Sequence, residues 1–314
     1  MNVARARKTL RLAASTALLC LLPPAPASAK LGRGDARRLI AALSLFELNS
    51  GAVTIKEIRS TETEATVTAS VKTAFRFARG EGGRWRAVEM RVGDRQWEDF
   101  DLLATAAGRE RIAAVRDALE ALAAELEEHA RERKHTGTDE GEDAPLVRGP
   151  LRVEKPASAL SALGSSAVLE AEVEASLDFV RERRRWRVTH ARLGTETVSD
   201  FDALARALDQ AKATRARADL DTLASALEAY RREHGFYVTV DTSSALNDHL
   251  SPRYLKLPVR FDPWHRPYEY EGTRASYVLR SVGPDGKPNT ADDINLGRNM
   301  GGGPVHRVGG KAKR

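Results

Sequence analysis

Two stretches of the chain alternate apolar and polar residues with the two-residue period of a half-buried strand. Val67, Ala69, Val71, Thr73 and Phe75 mark the first, and Leu169, Ala171, Val173, Ala175 and Leu177 the second. The segments ARGEGGR (78–84) and VRERRR (180–185) then predict hairpin turns. Trp85, Val88, Met90 and Val92, and in the second stretch Trp186, Val188 and Leu193, belong to the returning strands. Short strands at 53–58 and 151–153 complete each sheet. Helical spacing of apolar residues predicts helices over 100–133 and 201–234.

The two stretches also share residues. WRAVEMRVG (85–93) aligns with WRVTHARLG (186–194) at an offset of 101. The same offset carries Asp99-Phe100-Asp101 onto Asp200-Phe201-Asp202, and Leu119, Leu122 and Leu126 onto Leu220, Leu223 and Leu227. Upstream, VTASVKTAFRF (67–77) aligns with LEAEVEASLDF (169–179) at 102, so the turn between them differs by one residue. The expectation is an α+β fold with two tandem antiparallel-sheet-plus-helix repeats, each apolar sheet face covered by the helix beside it. The first spans 30–133. The second spans 151–202 and shares a helix, 202–234, with the C-terminal third of the chain. This pattern is loosely similar to cystatin-like or nuclear-transport-factor-like modules. The polar, Gly- and acid-rich segment 134–150 predicts a linker. The glycine- and base-rich tail 299–314 predicts disorder.

The first 29 residues read differently. Arg5, Arg7, Lys8 and Arg11 precede an apolar run from Leu12 to Leu22, and Ala27-Ser28-Ala29 supplies a small-residue cleavage site. That is the plan of a secretory signal peptide, and the run is too short, with Pro23 and Pro24 at its end, to read as a retained anchor. Removing its four basic residues from a formal charge of +6 leaves +2, which takes away the argument for a polyanionic partner such as nucleic acid. It also removes Cys20, the chain's single cysteine, so the mature chain holds no disulfide. Lipid acylation of Cys20 is the alternative, against which stands the bulky Leu19. The chain's 42% hydrophobic and 30% charged residues are a globular composition, and the mature part is expected to be exported to the periplasm or beyond, without a membrane-spanning segment.

All six tyrosines fall at or after Tyr230, which marks the C-terminal third as a separate module. Its helix ends RREHGFY. Next come Leu257-Pro258, Asp262-Pro263-Trp264, the aromatic PYEY (267–270), SYVLRSVG (276–283), and PDG (284–286) followed by ADDI (291–294). Over residues 215–296 these motifs, in this order, resemble the major pseudopilin (G subunit) family of type II secretion systems. The resemblance implies a head of one long helix, a small antiparallel sheet and a calcium-type loop, assigned to residues 203–298. It also implies partners among other pilin-like or secretion-system proteins, and leaves the oligomeric state open. Members of that family carry a hydrophobic stem that packs in a filament core. Here ALARALDQAKATRARADL (203–220) is too charged for that place, so the head stands without its polymerising stem.

Asp285, Asp292 and Asp293 put three carboxylates into nine residues, with Gly283 and Gly286 to turn the chain. Hard oxygen ligands in a flexible loop suit calcium, whereas the lack of Cys and paired His excludes zinc. The spacing is not that of an EF-hand, and an Asp-Gly turn in a solvated loop accounts for the same residues. The resemblance gives Asp285, Asp292 and Asp293 side-chain ligand roles and the carbonyl of Val282 a backbone one, for a structural calcium ion. The seven histidines are scattered, and no nucleophile elbow, phosphate loop or catalytic triad is legible, so no enzymatic activity is expected. Trp85 and Trp186 fit either a ligand pocket or the core. Arg181, Arg183, Arg184 and Arg185 fit a solvated hairpin tip or a dock for an acidic surface. The reading is a non-enzymatic exported structural or interaction protein associated with a secretion or pilus-like apparatus. The alternative is a periplasmic ligand- or peptide-binding module built on the two repeats.

Overall fold

The two alternating stretches become the longest strands of the protein, β2 (Glu64–Arg79) and β8 (Ser166–Glu182), and they lie side by side. The computed structural model describes residues 30–43, 48–136, 145–153, 160–194, 196–240 and 242–299. The signal-peptide segment, Cys20, residues 137–144 of the expected linker and the tail from 300 onward lie outside these residues. β2 and β8 pair antiparallel from Glu64 opposite Val180 to Ala78 opposite Ser166. Each is long enough to take one further neighbour on each half. On β2 these are β1 (Val53–Ser60), beside residues 65–71, and β3 (Trp85–Val92), beside residues 73–79. On β8 they are β7 (Leu160–Leu163) with β6 (Leu151–Val153), and β9 (Arg185–Leu193). β4 (Glu98–Asp99), β5 (Leu146–Arg148) and β10 (Glu196–Val198) complete one ten-stranded sheet.

The expectation of two separate sheets is therefore corrected: the strands of both stretches share one sheet, with β2 against β8 at its centre. Alternation tells which face of a strand is apolar but not which strand lies beside it. The register has an internal order. Val71 faces Val173, its partner at the 102 offset, while Val67 faces Leu177 and Phe75 faces Leu169. Register shifts occur between Arg76 and Phe77 and again between Asp178 and Phe179, at the same offset.

One face of this sheet is apolar. Phe75, Phe77 and Leu169 are buried under α3 (Arg109–Thr136) through Leu119, Leu122 and Leu126. Val67, Leu177 and Phe179 are buried under α1 (Arg33–Ala41) through Ala36 and Ile40. At alternate positions polar groups pair. The Thr66 hydroxyl donates to Asp178 (3.0 Å), the Ser70 hydroxyl donates to Glu172 (2.7 Å), and Lys56 lies 3.2 Å from Glu172. α1, which no sequence pattern announced, thus covers the end of the sheet where β1 and the first half of β2 meet the second half of β8, and the rest of the second stretch lies under α3, not under the helix that comes after it in the chain. That helix, α4 (Phe201–His234), packs its first turns on α2 (Phe100–Ala107) and spends its apolar stripe elsewhere. The helix expected over 100–133 is divided at Gly108 (φ 103°) into α2 and α3. α3 continues to Thr136 and β5 begins at Leu146, so both ends of the expected linker are regular structure.

The stripe of α4, Leu220, Leu223, Ala224 and Leu227, is buried in the C-terminal core. It meets α5 (Ser243–Leu250) and the three-stranded antiparallel sheet of β11 (Glu269–Gly272), β12 (Ser276–Ser281) and β13 (Ile294–Asn299). Tyr237, Tyr268, Tyr270 and Tyr277 fill this core. The Tyr237 hydroxyl donates to Glu228 (2.8 Å), that of Tyr268 to Asp219 (3.0 Å) and that of Tyr270 to the carbonyl of Val238 (2.6 Å). Burial, aided by the Glu228 carboxylate, pushes the Tyr237 phenol up to about 12. Burial pushes Tyr268 up as well, with Asp219 adding to it.

An acid whose folded pKa is raised contributes stability that is whole below its unfolded value, about 10 for tyrosine, and lost as pH climbs through the folded value. The head should accordingly lose stability above pH about 10, with tyrosinate absorbance of the buried rings rising together with unfolding. If all six tyrosines ionise near pH 10 while the head stays folded, the buried-ring account is wrong.

Candidate functional site

The segment 282–293 joins β12 to β13 and carries the three clustered aspartates, Asp285, Asp292 and Asp293. It rests on a polar hub one loop away. Asp262, of the Asp-Pro-Trp motif, is 3% exposed. Its Oδ1 accepts the backbone N–H groups of Trp264 and Arg266 (3.0 Å each), an Asx-type turn that Pro263 pre-sets. Its Oδ2 accepts the hydroxyl of Ser281 (2.6 Å), at the end of β12. Arg266, so placed, donates to the carbonyls of Gly283 and of Pro284 (3.2 Å for the latter). Gly283 has φ +66°, and a Cβ there would stand 2.5 Å from the carbonyl oxygen of Asp292, so only glycine lets the two ends of the loop meet.

The three aspartates converge. The Thr290 Oγ1 lies 2.6 Å from Asp292 Oδ1 and 3.4 Å from Oδ1 of both Asp285 and Asp293. A hydroxyl has one proton and satisfies one of three carboxylates. Loop amides take further lone pairs: Asp285 N–H donates to Asp292 (3.0 Å), Lys287 N–H to Asp285 (2.8 Å) and Asn289 N–H to Asp293 (2.8 Å). The Thr290 hydroxyl, then the Asp285 amide, hold the Asp292 carboxyl below its usual range. Buried Arg280 donates to Glu269 (Nε, 2.6 Å) and Asn289 (3.2 Å) and lies 3.7 Å from Asp293. Val282 is buried at the base of the loop.

The donor set is hard oxygen with net negative charge, which suits calcium. Among the described residues, however, no three His, Cys, Asp or Glu side chains stand ready as a metal cage. Sequence reasoning missed Thr290, Arg280 and Arg266, and named Asp262 only as part of a motif. The Asp-Pro pair was the one available signal for it; the others act across strands.

The other candidates lie apart. Trp85 is in the core under α3, its Nε1 donating to Glu127 (2.9 Å), and Trp186 packs beside the α1 core. Arg183 and Arg184 form the β8–β9 turn, both at positive φ and both exposed. His190 contacts Thr189, and His234 stacks on Tyr230 and reaches the Tyr254 hydroxyl (3.1 Å). No helix among the described residues is long and apolar enough to cross a membrane.

Comparison with known proteins places this geometry. The family described as "Type II secretion system (T2SS), protein G" matches residues 203–297, from the first turn of α4 into β13. Type II secretion system core protein G of Pseudomonas aeruginosa (strain PAO1) is 36% identical over 104 residues, which cover 28% of this chain and 72% of that protein. No solved structure matches significantly. The matched stretch holds α4, the tyrosine core, the Asp262 hub and the acidic loop, and through this C-terminal domain the chain belongs to the type II secretion system protein G family.

Proposed function

We propose that this is a non-enzymatic, exported component of a type II secretion or related pilus-like apparatus. In this reading it offers its pseudopilin-like head to other pilin-type subunits, with calcium ordering the 282–293 loop. The observation that carries the reading is the match of residues 203–297, which takes in the whole head. In place of an apolar stem, the first turns of α4 carry charge and pack on α2, and Lys212 Nζ, nearly buried, donates to Glu98 (2.7 Å). The head is thereby mounted on the sheet domain. We read that domain as two copies of one unit meeting about Val71 and Val173, an arrangement supported by the matching register shifts. Crosslinking of the mature protein in periplasmic extract, read by mass spectrometry, tests the role: pilin-type subunits are the expected partners, and their absence among recovered crosslinks counts against it.

Calcium binding has its own test. Calcium at 100 times its dissociation constant should stabilise the folded head by about 2.7 kcal/mol. All tyrosines lie at or after Tyr230, so near-ultraviolet tyrosine signals report the head within the full chain. Melting with calcium and with a chelator should separate, and Asp292→Ala should bring the curves together. Coincident curves for the unmodified protein would mean a solvated turn and no metal. A second reading, a periplasmic ligand-binding module, is favoured by one feature, an apolar cleft between α2 and α4.

A further inference from the structure

That cleft encloses about 650 Å³, and its apolar lining comes from both stretches, with Leu103, Ala106, Leu204 and Ala207 among it. Of the five exposed large apolar side chains among the described residues, Val115 and Leu193 edge this hollow, while Leu257 and Phe261 stand on one loop of the head, 77% and 61% exposed. The backbone of that loop, 256–261, is clamped. On one side of Leu257 the Leu255 N–H donates to the carbonyl of Leu250 (3.0 Å). On the other, fully buried Asn247 donates to the carbonyl of Val259 (3.0 Å) and accepts its N–H (2.7 Å), and the Tyr268 N–H donates to the carbonyl of Arg260 (3.0 Å). A fixed backbone that holds two large apolar side chains in water marks a preorganised contact surface.

The two surfaces are complementary. One is a convex apolar loop and the other a concave apolar site, and the charges around them are opposite. Lys256 and Arg260, both exposed, flank Leu257 and Phe261, with Asp248 3.1 Å from Arg260. The charged lining of the cleft is Glu98, Glu196 and Asp200 against Arg95. Lys212 holds Glu98, and Glu196 and Arg95 have partners of their own, so three carboxylates meet two cations and the mouth stays net negative. Such a mouth disfavours an anionic amphiphile and favours an apolar group with cationic neighbours. Within one chain the two surfaces do not meet, since Leu257 and Phe261 remain exposed. They are linked at one edge, where Trp264 Nε1 donates to Asp209 (2.9 Å), the residue after Leu208 of the lining. A two-fold related copy can therefore offer its loop to this cleft while receiving this loop in its own, which doubles the surface buried and closes the assembly. We infer that a second copy of this chain fills the cleft, with Leu257 and Phe261 between α2 and α4 and Lys256 beside the acidic mouth. This goes beyond the proposed role and stands whether or not pilin-type subunits also meet the head.

Sedimentation equilibrium of the mature full chain over a concentration series tests this, and a monomer–dimer equilibrium is expected. Phe261→Ser on the loop and Leu193→Arg at the cleft should each weaken the dimer about tenfold or more, with unchanged circular dichroism. Should Leu193→Arg misfold, Lys256→Glu, at an exposed residue, should weaken the dimer too, most at low ionic strength. Cys20 is the single cysteine, so residues 30–314 can carry one introduced thiol at a time. Leu257→Cys and Ala106→Cys, mixed and gently oxidised, should form the mixed disulfide in excess of either self-disulfide. A chain that stays monomeric throughout, or a dimer indifferent to either the loop or the cleft variants, would overturn the assignment. So would a predominance of the Leu257→Cys self-disulfide, which would set loop against loop.

Discussion

Expressed alone, residues 30–136 will not fold as a monomer. In the intact protein β2 has β8 along almost its whole length, from Glu64 to Ala78, and the core under α3 takes Leu151, Val153, Ala167, Leu169 and Ala171 from the second stretch. The α1 core likewise takes Leu177 and Phe179. Removing that half exposes β2 as a long edge strand and opens both cores together. The loss of five buried aliphatic residues under α3 alone approaches the whole stability of a domain, at about 1.5–3 kcal/mol for each larger side chain against a total of about 5–15. The fragment should be unfolded by circular dichroism, or else dimeric, with a second β2 in place of β8 and Val71 facing its own copy. Adding residues 145–299 in trans should restore a folded complex. A monomeric fragment with a cooperative melt would show that the two halves are independent, whatever their strands share in the intact chain.

The strands and α4 were legible because each is an amphipathic element long enough for its period to show. β2 and β8 follow the alternation, and α4 runs from Phe201 to His234 as the spacing predicts. Three features were not legible. α1 has nine residues, three of them arginine, and buries only Ala36, Ile40 and Ala41, too short an apolar stripe to stand out. The joining of the strands into one sheet depends on residues a hundred positions apart, which local periodicity does not encode. The third was the surroundings of the acidic loop. The three aspartates could be read from their crowding, but Thr290 between them, Arg280 from β12 and Arg266 from the preceding loop become neighbours only when the hairpin closes.

Asp262→Ala should be the most costly single change in the head. The carboxylate accepts two backbone N–H groups and the Ser281 hydroxyl in a buried position, so truncation strands three donors together. Each lost bond to a charged acceptor is worth about 1.5–3 kcal/mol, and since such losses are not additive, about 3–5 kcal/mol in all is expected. Asp262→Asn keeps the shape and one carbonyl acceptor and should recover about half. Asp292→Ala supplies the contrast: its carboxylate is partly exposed and its main donor is a hydroxyl, so without calcium it should cost much less than Asp262→Ala. The hub also reaches the loop through Arg266, whose guanidinium holds the carbonyls of Gly283 and Pro284. Hydrogen exchange at the amides of 283–290 should therefore quicken in Asp262→Ala before the head unfolds as a whole, while amides of α4 keep their protection. If Asp262→Ala melts within about 1 kcal/mol of the unmodified protein, or leaves exchange in the loop unchanged, then the Asp-Pro-Trp turn does not support the acidic loop.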